Sequence, residues 1–131
     1  MKRFNVTFLV VALCVAGTPA LAADFDGSKP LICSAIEAHE CELGMKCQQG
    51  LAADLNVPQF IRFDFAAKTL SARDRSTQMQ SQARGNGMLL VQGFENGRAF
   101  SITISEESGK LVGAIAADGE GFMIFGACTA L

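Results

Sequence analysis

MLLVQGFENGRAFSITISEESGKLVGAIAADGEGFMIFGAC, residues 88–128, contains four apolar or alternating runs, at Met88 to Phe94, Ala99 to Ser105, Leu111 to Ala117 and Phe122 to Cys128. Between them stand Glu95-Asn96-Gly97-Arg98, Glu106-Glu107-Ser108-Gly109-Lys110 and Asp118-Gly119-Glu120-Gly121. Each separator supplies glycine where a hairpin needs positive φ. No run is long enough, or apolar at three- and four-residue spacing consistently enough, for an amphipathic helix. The stretch predicts four antiparallel strands joined by three hairpins.

Upstream, Gln59 to Phe65 alternates most cleanly: Ile61, Phe63 and Phe65 point one way, Arg62 and Asp64 the other. Ala66-Ala67-Lys68 turns the chain, and Thr69 to Arg73 returns it with Leu70 and Ala72 inward. Arg75 to Ala83 is polar with Met79 as its one strong apolar residue, which fits an edge strand or a loop. Arg84-Gly85-Asn86-Gly87 is a hairpin turn into Met88. Leu31 to Glu40 carries both helical and alternating spacings, and Pro30 together with Cys33 favours a strand. Leu51 to Leu55 predicts one or two helical turns, ended by Asn56-Val57-Pro58. The sum is an all-β antiparallel meander of seven or eight short strands. Eight can close into a small up-and-down barrel whose interior side chains just fill it; an open twisted sheet folded into a sandwich is the alternative. Phe100, Ile102 and Ile104 are core candidates. The last two strands are apolar on both faces, so the segment from the cysteine loop to Leu55 is expected to cover the outer one, a dimer or partner surface being the alternative.

The N-terminus, MKRFNVTFLVVALCVAGTPALAADF, has a basic start, a short apolar core and Ala20-Leu21-Ala22. These are the three parts of a secretory signal peptide, residues 1–22, with Ala23 as the mature N-terminus. The apolar core is shorter than the roughly 20 residues that span a bilayer. Removing Lys2 and Arg3 leaves one domain, residues 23–131, with all thirteen acidic residues and a formal charge of about −4. That balance offers no basic stripe to neutralise phosphates, which argues against nucleic acid as a partner. It also disfavours an anionic membrane surface.

Cys14 goes with the signal, and Cys33, Cys41, Cys47 and Cys128 remain. An even count in an exported chain implies disulfides. Cys41 and Cys47 bracket a short loop that closes on itself, which leaves Cys33 and Cys128 to join the first strand to the last. In the chain-entropy model the long loop is worth roughly 4 to 5 kcal/mol. A zinc site using His39 and Cys41 lacks a close CxxC pair and is not expected.

Other chemistry is sparse. His39, the single histidine, has Glu37 and Glu40 nearby, but no serine or cysteine is identifiable as a nucleophile to partner it. Asp118-Gly119-Glu120-Gly121 offers two carboxylates, fewer oxygens than calcium requires, and reads as a turn. No glycine-rich stretch leads from a strand into a helix as a phosphate loop does. Ten Phe with neither Trp nor Tyr speak for a dry core more than for a sugar platform or a tight protein interface.

The run 33–47, with Val91-Gln92-Gly93-Phe94-Glu95-Asn96-Gly97-Arg98 and Asp118 to Cys128, resembles a group of small secreted proteobacterial proteins of unassigned function. In layout the chain also resembles the periplasmic inhibitors of c-type lysozyme, small exported barrels with a terminal cysteine and a Ser-Gly loop that plugs the enzyme's cleft. Ser108-Gly109-Lys110 is the stretch that matches this loop. The likeness implies a non-enzymatic periplasmic or secreted binding or inhibitor-type module, without cofactor or metal, acting on a protein of the cell envelope. The residues themselves leave a second expectation, a small carrier holding an apolar ligand in a Phe-lined interior.

Overall fold

The computed structural model describes residues 24–131; the expected signal peptide, its expected cleavage site and Cys14 lie outside them. Ten strands form: β1 (Leu31–Glu42), β2 (Gln48–Leu51), β3 (Phe60–Asp64), β4 (Thr69–Ala72), β5 (Arg75–Gln78), β6 (Ser81–Gly85), β7 (Met88–Glu95), β8 (Arg98–Ser105), β9 (Lys110–Ala116) and β10 (Glu120–Ala130). All pairings are antiparallel, in the order β5-β4-β3-β1-β10-β9-β8-β7-β6, with β2 beside β1 outside this path. The sheet curls into a half-barrel. Its two end strands are consecutive in the chain: Met79 N–H donates to Lys68 C=O on one side and Gln80 N–H to Gln92 C=O on the other. The all-β meander is thus present, and no helix is found among the described residues.

Local chemistry accounts for the hairpins. Asn86-Gly87 and Asn96-Gly97 each place two successive residues at positive φ, 52° and 74° and then 50° and 78°. That conformation matches the right-handed strand twist and suits Asn-Gly almost alone. The strand count rises to ten for two reasons. Arg75 to Ala83 breaks at Met79 into two strands that pair with different neighbours, and the end of the cysteine loop pairs with β1 through Glu37↔Leu51 to Glu40↔Gln48. Leu51 to Val57 forms hydrogen-bonded turns, with Leu55 N–H bonded to Leu51 C=O, in place of the expected helical turns.

Cys33 and Cys128 are direct partners across β1 and β10, and the disulfides are Cys33–Cys128 and Cys41–Cys47. A β-bulge between Ala35 and Glu37 extrudes Ile36 and reverses which β1 residues face inward: Leu31, Cys33 and Ala35 before it, Ala38 after it. Gly126 stands opposite, because any Cβ there would collide with the Ser34 carbonyl. The fully buried core, Phe63, Leu31, Leu89, Ile104, Val91 and Cys33, fills one half of the barrel. Asp24 to Pro30 lies across that end, with Phe25 on Gly109 and Gly27 against Leu89. Arg84 clasps it, reaching Glu106 at 2.8 and 2.9 Å and Asp26 at 3.8 Å.

The outer face of β9 and β10 is not covered. Val112, Met123 and Phe125 remain between 37% and 40% exposed, while the cysteine loop points away with Leu43 89% exposed. The expected internal cover fails because β2 and the loop before it are spent on the opposite edge of β1.

Candidate functional site

At the end away from Phe25 the interior is open. A cavity of about 470 Å³ is walled by Ile61, Leu70, Phe100, Ile102, Ile115 and Ile124, with Leu111 and Gly113 at its floor. These residues come from the inward faces of β3, β4, β8, β9 and β10. Period-two alternation makes the wall continuous. Small residues provide the space. A Cβ at Gly113 would meet only Ile102 and Ile124 at 3.4 and 3.7 Å, in ordinary contact, so the volume beyond it is vacant because the residue is glycine. Ala72 does the same on β4. The expectation of an interior just filled by side chains holds at the Phe63 end and fails here.

The mouth is polar and tied. It is lined by the turn at Asn56-Val57-Pro58, the β4–β5 turn at Arg73-Asp74 with Arg75, and the β7–β8 hairpin from Glu95 to Arg98. The Arg73 guanidinium donates to Asn56 Oδ1 at 3.3 Å from both terminal nitrogens. Arg98 pairs with Glu120 at 2.7 Å. The buried Thr77 hydroxyl donates to the Glu95 carboxylate, spanning β5 and β7 where no ladder bonds join them. On β5 Arg75 shares the inward face with Thr77, and among the described residues no ion pair or side-chain hydrogen bond engages it. A second depression, about 650 Å³ along Met79 to Arg84 with Lys68, is lined mostly by exposed polar side chains of β6, with Met79 and Ala83 as its apolar members.

The residues singled out from sequence lie elsewhere. Ser108 and Lys110 are exposed at the opposite end, whereas Gly109 is buried, its N–H bonded to Ser105 C=O and its C=O accepting from Cys128 N–H. The segment is a tight turn held to the sheet. Glu37 and His39 share a face and hydrogen-bond at 2.8 Å, with Gln49 donating to the same carboxylate oxygen and Phe125 edge-on to the imidazole at 5.8 Å. The pair sits on an outer strand face that lines neither cavity. Asp118 and Gly119 turn the chain into β10, and Glu120 is engaged by Arg98. Sequence reasoning turned Ile61, Leu70, Ala72, Phe100 and Ile102 inward on β3, β4 and β8, found both faces of β9 and β10 apolar, and expected a filled interior in place of the cavity. Its signal was the glycine at an inward position of an otherwise apolar strand, Gly113. No protein-family model, curated protein or solved structure matches the chain.

Proposed function

We propose that this protein is a non-enzymatic, exported binding module that carries a small apolar ligand in the open end of its half-barrel. The observation that carries this reading is the 470 Å³ cavity with apolar walls and a polar mouth, the usual make-up of a small-molecule site in a barrel mouth. Export through the signal peptide and residence in the periplasm or outside the cell fit the two disulfides. Native mass spectrometry of protein purified from the envelope of its source cell tests the proposal. Retained small-molecule mass on wild type, lost in Gly113→Leu, is the expected result; a bare oxidised chain under gentle conditions contradicts it.

The uncovered outer face of β9 and β10 favours a second reading, an inhibitor-type module that docks on a protein of the cell envelope. In that case Val112→Lys or Phe125→Lys abolishes capture of the partner. Ser108→Ala with Lys110→Ala then decides whether the turn matched to the inhibitor loop takes part.

A further inference from the structure

Resting on the cavity reading above, we infer that the ligand is a single-chain amphiphile with one anionic head, its tail inside the barrel and its head at Arg75. Tail and head are separate requirements. The walls offer no hydrogen-bonding side chain deeper than Thr77, and the Thr77 hydroxyl is already committed to Glu95. A polar group pushed inward would therefore lose its water without compensation, so the buried part of the ligand is hydrocarbon. The rim, by contrast, carries three guanidinium groups. Arg98 is paired with Glu120; Arg73 is held in place by the neutral Asn56 amide oxygen, and Glu95, while accepting from Thr77, keeps its negative charge at the rim.

Arg75 is left. It follows Ala72 across the β4–β5 hairpin, so a small side chain flanks it on the cavity side. Its fork can accept a carboxylate, sulfate or phosphate oxygen pair. A cation at the rim of an apolar cavity is a device for orienting an amphiphile: hydrophobic burial supplies the affinity, and the ion pair fixes which end enters. Asp74 lies in the turn beside Arg75 and opposes a second negative charge, which limits the head to one.

Isothermal titration with decanoate and with decanol separates the two requirements, since the tails are equal and only the head differs. Wild type is expected to bind decanoate about tenfold more tightly than decanol. Arg75→Ala should remove that advantage and leave decanol unchanged, while Arg62→Ala, on the outer face of β3, changes neither. Equal binding of the two ligands, or decanoate binding indifferent to Arg75→Ala, overturns the anionic head and leaves the cavity reading standing. Binding of neither ligand, or binding of both undiminished by Gly113→Leu, overturns the cavity reading with it. Arg75→Lys, which keeps the charge but loses the fork, should fall between wild type and Arg75→Ala. Decyl sulfate in place of decanoate then tells a carboxylate-selective rim from a general anion site.

Discussion

At Gly126 a single added methyl group would run into the Ser34 carbonyl oxygen, and the backbone of Ala35 stands directly behind it. Neither atom can rotate away, so Gly126→Ala should destabilise the fold by at least about 3 kcal/mol in urea unfolding. Gly113→Ala, whose new Cβ meets only movable isoleucine side chains, should stay within about 1 kcal/mol of wild type. The contrast separates a glycine required by backbone approach from one that leaves a hole. The role of Gly126 was not legible in the sequence, where it simply interrupts an apolar strand, and Gly113 signalled only a missing inward side chain, not the size of the space beside it. What was legible was the hairpin chemistry: Asn86-Gly87 and Asn96-Gly97 declare positive φ in their composition. The Glu37 and His39 neighbourhood was legible as well, since residues two apart on a strand share a face; what the sequence did not show is the bulge at Ile36 that puts that face outward.

Among the elements, β1 and β10 hold the meander together. Their ladder runs from Leu31↔Ala130 to Glu42↔Glu120, and the Cys33–Cys128 bond sits within it, 95 residues apart in the chain. Replacing that pair by serine should cost roughly 4 to 5 kcal/mol in the chain-entropy model, against about 2 kcal/mol for the six-residue separation of Cys41 and Cys47. Parallel denaturant titrations of the two double variants measure the difference. The clasp at the closed end adds a pH dependence. Hydrogen bonding from Arg84 holds the Glu106 carboxyl below its usual range, and hydrogen bonding from Ser28 does so for Asp26. Folded carboxyls that release protons more readily than unfolded ones contribute fully above the ordinary carboxylate range, and that contribution is lost as the pH falls through their depressed values. Melting temperatures of wild type and Glu106→Gln should therefore differ at neutral pH and converge in acid. The first-to-last disulfide was readable from the even cysteine count and the short spacing of Cys41 and Cys47. The pairing of β2 with β1 was not, because Gln48-Gln49-Gly50-Leu51 has no alternation to announce a strand.

As a whole molecule the half-barrel is asymmetric: packed and clasped at one end by Phe25 and Arg84, hollow and polar-rimmed at the other. A sequence records which residues face inward but not whether their volumes sum to the space enclosed, and that sum depends on how far the sheet curls. The most direct measurement is a methyl-labelled NMR titration of the protein with decanoate. The isoleucine methyls at Ile102, Ile115 and Ile124 line the cavity, whereas Val112 and Met123, next in sequence to Gly113 and Ile124, project from the opposite face of the same sheet. Shifts confined to the three isoleucines, with Val112 and Met123 unmoved, are the predicted result. Shifts at Val112 and Met123 with silent isoleucines, or no shifts at all, would contradict it.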